Sequence, residues 1–249
     1  MPSLTAEQTQ WIGERIFANE CNLKIPCLTS WNEGEDFPSL GIGHFIWYRA
    51  GQQEAFVESF PALLDFYDAQ SIPLPDWLDQ LPNRDAPWQS KAQFEAEFHE
   101  QRLSELREFL YQTRETQVQF IIARMQASLP SLLAHTQHAE QIEPLFYEVA
   151  NSAAPLGMYA LIDYVNFKGE GTAKSERYND QGWGLLQVLE TLARNRSDHA
   201  LMPQFASAAR AVLAQRVANA PVERNEQRWL NGWNNRTLTY ENLPHSNEL

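Results

Sequence analysis

The sequence predicts an α+β, mostly helical fold: a small antiparallel sheet lobe near the N-terminus, then a larger helical lobe. Three observations predict it. Helical spacing of Trp11, Ile12, Arg15, Ile16 and Asn19 gives way, from Leu28 to Tyr48, to two runs rich in strand formers. Between those runs lie the turn residues Asn32, Gly34, Asp36 and Pro38. After Ser90 the helical period returns and holds through most of the remaining chain. The 249 residues, 43% of them hydrophobic, are enough to bury a sizeable core, and no repeat or low-complexity tract divides them. The chain therefore reads as a single domain in three parts. Residues 1–50 form a helix plus a small sheet carrying acids, 51–150 a helical insertion or connection, and 151–249 the helical lobe.

The first helix opens on a capping box, Thr5-Ala6-Glu7-Gln8, and its period runs to about Glu20. Glu20 thus sits at a helix C-terminus. There the negative end of the macrodipole disfavours a charged carboxylate, and shielding by Trp31 or Phe37 would add to this. A general acid needs that tuning; an ordinary solvated glutamate at a helix end is the plainer alternative. Cys21 and Cys27 flank the next loop, at a spacing that permits a disulfide or leaves two free buried thiols. A metal centre would need more nitrogen or sulfur ligands than His44, so neither metal nor cofactor is expected.

Gly41-Ile42-Gly43-His44 reads as a strand with one face bare of side chains, open to close approach. His44 in isolation suits a hydrogen-bonded structural role as well as a site. Ser59 and Pro61 start a helix through Tyr67, and prolines 73, 75, 82 and 87 punctuate a linker between lobes. Ser90 caps a helix carrying Phe94, Phe98, Leu103, Leu106 and Leu110, a pattern continued by Val118, Ile121, Ile122 and Met125 toward Pro130. Its mixed-sign face is assigned to solvent. Pro130 and Pro144 bound two shorter helical segments, and Pro155 starts a stronger one that Gly169 ends. Gly182-Trp183-Gly184 leads into a further helix, and two more cover 203–218 and 221–230. The C-terminal half is thus expected to be all helix, with only HSNEL loose.

A formal net charge of −13 argues against nucleic acid and anionic membrane surfaces as partners. No apolar run reaches the roughly 20 residues that span a bilayer, so no membrane span is expected. The start MPSLTAEQTQ has neither the basic nor the apolar region of a signal peptide, which as written implies the cytoplasm. It equally matches a mature domain whose signal was removed, and a periplasmic or secreted location is the favoured expectation.

Glu20, Glu33, Glu35 and Asp36 place acids apart on neighbouring elements, as acid/base chemistry requires. The order Glu20, Glu33, Ser39, Gly41 to His44 resembles phage-type lysozymes, inverting muramidases of the lysozyme-like superfamily. In that family a glutamate ending the first helix is followed by a short sheet holding an aspartate, then a threonine, then a Gly-Ile-Gly-His strand. The segments ALIDYVNFKGEG, GLLQVLETL and RNEQRWLNGWNNRTLTY are similar to its helical lobe. The resemblance covers about half of the chain, and 51–150 has no counterpart in it. Here the loop after Glu20 is longer, the second acid is glutamate, with Glu35 or Asp36 as alternatives, and Ser39 keeps the hydroxyl of the threonine.

The resemblance implies a lysozyme-like glycoside hydrolase of bacterial cell-wall type, cleaving a β-1,4-linked amino-sugar polymer, with peptidoglycan favoured. It casts Glu20 as acid, Glu33 as base through a water that Ser39 orients, and Trp31, Glu35, His44 and Tyr48 as substrate-binding residues. Trp31, Trp47, Tyr48, Trp183, Trp229 and Trp233 offer ring faces for sugars or else belong to the core. Two alternatives stand beside this. The acidic balance suits a chitosanase-like enzyme acting on a cationic glucosamine polymer. The altered second acid suits a non-catalytic glycan-binding or interaction protein on the same fold. A nucleophilic Cys21 or Cys27 with His44 lacks an orienting partner.

Overall fold

In the computed structural model, which describes residues 3–54 and 56–242, the expected capping box is made. Thr5 Oγ1 accepts the Gln8 N–H at 3.2 Å, and Gln8 Oε1 accepts the Thr5 N–H at 3.0 Å. These bonds satisfy two donors that a helix start would leave open, and α1 follows from Ala6 to Cys21 with Ile12, Ile16 and Phe17 buried. The HSNEL segment lies outside the described residues. The chain forms two compact units, one of Thr9–Ile121, the other joining the described residues up to Gln8 to those from Ile122 onward.

In the first unit, β1 (Thr29–Ser30), β2 (Ser39–Leu40) and β3 (Phe45–Ile46) form the expected antiparallel sheet in the order β1-β2-β3. Ser39 lies opposite Ser30 on one side and Ile46 on the other. The helices α2 (Phe60–Ala69), α3 (Asp76–Asp79), α4 (Lys91–Ala96) and α5 (Gln101–Gln112) follow, and α6 (Arg114–Leu133) begins here. Ser90 caps α4 by accepting the Gln93 N–H at 3.3 Å. The helical pattern beyond it is three helices rather than one, with side chains bonded to carbonyls at the breaks. Arg107 donates to the Phe98 carbonyl, and the Thr113 hydroxyl donates to the Phe109 carbonyl at 2.8 Å while contacting Tyr67 Oη at 2.7 Å.

The core is aromatic. Trp47 packs on Phe60 and edge-on against Trp88, and Trp88 packs on Phe94, with centroid separations of 4.6, 5.7 and 4.9 Å. All four rings are buried, each worth about 1.5–3 kcal/mol or more in transfer free energy. Arg107 is buried with them and braces β1 by donating to Thr29 Oγ1 at 3.0 Å.

The second unit contains α7 (Ala139–Asn151), α8 (Leu156–Lys168), α9 (Leu185–Arg194), α10 (Leu201–Asn219) and α11 (Gln227–Leu238). Helix α7 packs on α8 and α9, and α10 on α9 and α11. Every residue of α8 from Leu156 to Tyr164 is buried, so this helix is central. Its start abuts α7 so closely that a Cβ on Gly157 would lie 1.8 Å from the Val149 carbonyl oxygen. Gly169, at φ +84°, ends it as expected.

Two expectations are corrected. Pro130 and Pro144 lie inside α6 and α7 rather than bounding them. An interior proline costs about 3 kcal/mol, which burial of Ile142, Leu145, Phe146 and Val149 along one face of α7 offsets. The C-terminal half is also not all helix. Strands β4 (Arg177–Tyr178) and β5 (Gln181–Gly182) form a hairpin, turned by Asn179 and Asp180 at φ +50° and +61°. Two left-handed residues there match the right-handed twist of the strands. The fold is α+β and mostly helical, with eleven α-helices and sheets of three and two strands among the described residues. No helix among them is long and apolar enough to cross a membrane.

Candidate functional site

The expected catalytic and substrate-binding residues, Glu20, Trp31, Glu33, Glu35, Ser39, His44 and Tyr48, lie in the first unit. Glu20 occupies the last turn of α1, its side chain only 15% exposed. The next residue, Cys21, is bonded to Cys27 with a Cα separation of 5.4 Å, so the two cysteines are a disulfide and not free thiols. The loop they close turns through Asn22 and Leu23, both left-handed, at φ +49° and +59°. The end of α1 is thereby pinned. Both sulfurs lie close to His44, but bonded to each other they offer no thiolate to a metal ion.

Gly41 to His44 is corrected from a strand to the turn that joins β2 to β3. Gly41 adopts φ +67° and donates to the Leu28 carbonyl at 2.8 Å. The close approach expected at this element is made by the protein itself. Gln117, fully buried, accepts the Ile42 N–H at 2.9 Å and donates to the Leu110 carbonyl at 2.7 Å. A Cβ on Gly41 would meet Gln117 Oε1 at 2.3 Å, so glycine is required there twice over.

His44 closes this turn at φ +47°, a left-handed conformation that costs a non-glycine residue about 1–3 kcal/mol. His44 Nε2 lies 3.9 Å from Glu20 Oε2, is itself buried, and has no hydrogen-bond partner among the described residues. The His44 side chain as a whole is 40% exposed, so the pair lies near the surface. A buried ring nitrogen without a protein partner can be satisfied by a ligand hydroxyl.

The other acids differ. Glu33 stands on the β1–β2 turn with its side chain 97% exposed and receives a hydrogen bond from Lys91 Nζ at 2.7 Å. That hydrogen bond and the charge of Lys91 hold the Glu33 carboxyl below the ordinary carboxylate range. Glu35 accepts from Asn32 Nδ2 at 3.0 Å, and its carbonyl accepts the Trp31 indole N–H at 2.7 Å. The Asp36 carbonyl accepts from Gln52.

Ser39 is buried in the central strand. Trp31 is buried too, edge-on to Phe94, and borders a groove of about 330 Å³ beside β1 walled by Pro26, Thr29, Asn32 and Phe98. That volume is at the small end of ligand-sized clefts. Tyr48 is buried with its hydroxyl donating to the Phe56 carbonyl at 2.8 Å, and burial pushes its phenol up. Trp47, Trp183 and Trp233 are core residues as well, whereas Trp229 is 41% exposed.

The structure therefore brings Glu20 and His44 together across 24 residues of sequence and ties Glu33 to a lysine 58 residues away. Lys91, Gln117 and Arg107 set the positions of Glu33, the His44 turn and β1, and no local pattern marks any of them. No known protein family, curated protein or solved structure matches the chain. The functional reading rests on this site and on the order of its residues.

Proposed function

We propose that the chain is a glycoside hydrolase that cleaves a β-1,4-linked amino-sugar polymer, peptidoglycan in the first instance, by inverting acid/base catalysis. The observation that carries this is the enclosed Glu20 carboxyl on a disulfide-pinned helix end, 3.9 Å from an imidazole nitrogen that has no hydrogen-bond partner among the described residues. In this reading Glu20 gives its proton to the glycosidic oxygen as the carbon–oxygen bond breaks. Glu33, kept ionised by Lys91, takes a proton from the water that attacks the anomeric carbon from the opposite face. His44 orients Glu20, and Ser39 serves the water. The strain at His44 supports a site rather than a plain turn.

One observation favours a second reading. A base must release Lys91 to reach water, so the Glu33–Lys91 pair suits a site that binds glycan without hydrolysing it. Turbidity loss of purified cell walls, with rates on chitosan measured in parallel, decides among these. Clearing of walls that Glu20→Gln abolishes supports the muramidase, and faster turnover of chitosan moves the assignment to a chitosanase-like enzyme. Glycan binding without turnover by the parent or by Glu20→Gln leaves the binding protein.

A further inference from the structure

Among the described residues, one place gathers three side chains of the kinds that bind metal ions. The sulfurs of Cys21 and Cys27 and a ring nitrogen of His44 all lie within 4.8 Å of one another. His44 Nε2 is buried without a hydrogen-bond partner among the described residues, and Glu20 Oε2 lies 3.9 Å from it. All four side chains belong to the first unit. The two sulfurs are bonded to each other, which withholds the donors that a soft metal prefers. A structural disulfide by itself calls for no imidazole beside it.

Main-chain bonds hold these groups together beside the sulfur–sulfur bond. The Lys24 N–H donates to the Cys21 carbonyl at 2.9 Å and the Cys27 N–H to the Lys24 carbonyl at 3.0 Å, which folds the loop back on the end of α1. The Gly41 N–H donates to the Leu28 carbonyl at 2.8 Å, tying the residue after Cys27 to the turn that presents His44, and Gln117 holds that turn at Ile42. Ligands bonded to a tetrahedral zinc ion at about 2.0–2.3 Å stand roughly 3.3–3.8 Å from one another. The imidazole-to-carboxylate separation of 3.9 Å is already near that span, and the limit of 4.8 Å among sulfurs and imidazole leaves a shift that side-chain rotation covers.

We propose that reduction of the Cys21–Cys27 disulfide turns this corner into a zinc site, with the two thiolates, the His44 imidazole and the Glu20 carboxylate as its four ligands. A dithiol reductant breaks the sulfur–sulfur bond by giving two electrons and two protons, ends as its own disulfide, and leaves Cys21 and Cys27 as thiols. Zinc then takes the place of the two thiol protons, which go to solvent, with no further change of oxidation state. Two thiolates and an imidazole select zinc over magnesium or calcium, which take oxygen ligands. In the oxidised chain the same His44 nitrogen is left for substrate. On the hydrolase reading, zinc would hold the proton donor as a ligand and the reduced, zinc-loaded chain would be inactive. That consequence rests on the hydrolase reading, whereas the metal site does not.

Cobalt(II) is the probe, because it replaces zinc in tetrahedral sites and its spectrum reports the geometry. The full chain, reduced by a dithiol and then freed of it, should bind one cobalt ion with the intense visible bands of a tetrahedral site and a near-ultraviolet sulfur-to-cobalt charge-transfer band. Zinc should bleach both, and the oxidised chain should show neither. Circular dichroism should show the reduced chain still folded. His44→Ala should weaken binding by more than about 100-fold, beyond the loss that follows removal of an outer-shell partner, and Glu20→Gln by about tenfold, since water takes its position. An unfolded chain would bind metal through its two sulfurs alone and be indifferent to both substitutions. A reduced chain that unfolds, an octahedral spectrum, or either variant binding cobalt as tightly as the parent overturns the proposal. The readout needs no turnover, so its failure leaves the hydrolase reading standing, and an inactive parent leaves the metal site standing.

Discussion

Asp163 in the helical unit and Glu20 in the sheet-bearing unit are both enclosed carboxylates, and their surroundings differ in one respect. Asp163 is fully buried and accepts from Arg236 Nε and Nη2 at 2.9 and 2.8 Å and from Tyr240 Oη at 2.5 Å. Glu226 repeats the arrangement, taking two bonds from Arg216 and one from Tyr178. Burial alone would raise the Glu226 carboxyl, but those hydrogen bonds together with the charges of Arg216 and Lys168 outweigh it and hold it below the usual range. Beside Glu20 the facing His44 nitrogen stops at 3.9 Å, beyond hydrogen-bond length, and has no hydrogen-bond partner among the described residues. Complete hydrogen bonding ties Asp163 and Glu226 into the fold, whereas the unsatisfied His44 nitrogen leaves a bond for a substrate to make.

The largest effect that can break this contrast is on stability. Asp163→Asn should leave Arg236 buried without its counter-charge and cost about 3–5 kcal/mol, a fall of roughly 10 °C in unfolding midpoint by calorimetry. Turnover per folded molecule should not change. Replacing Cys21 and Cys27 together by serine should cost about 2 kcal/mol, since the loop they close is short, and should lower turnover by loosening Glu20. If the double variant keeps full turnover, the disulfide does not position the acid.

His44→Ala sharpens the contrast within the site. It keeps the strained backbone but removes the facing nitrogen, so stability should move by less than about 1 kcal/mol while turnover falls about tenfold. Lys91→Met should have the smallest effect, read in the pH–rate profile. Lys91 holds the Glu33 carboxyl low, so without it the acidic limb, which requires ionised Glu33, should move to higher pH. An unmoved limb would assign that ionisation to another carboxylate, with Glu35 next in line.

The elements that could be read in advance were those with local causes. The Thr5–Gln8 box, the Ser90 cap and the Gly169 stop each act within a few residues and each formed as expected, as did the antiparallel sheet between Leu28 and Tyr48. Gly41 to His44 was misread as a strand because its glycines serve a left-handed turn against Gln117, 75 residues away. Asn179-Asp180 was a readable hairpin signal, two turn formers between Tyr178 and Gln181, hidden by the helical patterns on either side. In the site, Glu20 was visible because a helix end is a local feature. The partners of Glu33 and of the His44 turn were not, since their distances in sequence exceed any periodic pattern.

The central claim is that Glu20 is the proton donor, and Glu20→Gln tests it most directly, assayed on purified peptidoglycan beside the parent with thermal unfolding recorded for both. The account predicts that the parent clears the substrate, that the variant loses about 10²–10⁴ in rate, and that the two unfold at the same temperature. A folded Glu20→Gln protein that turns substrate over at the parent's rate would contradict it.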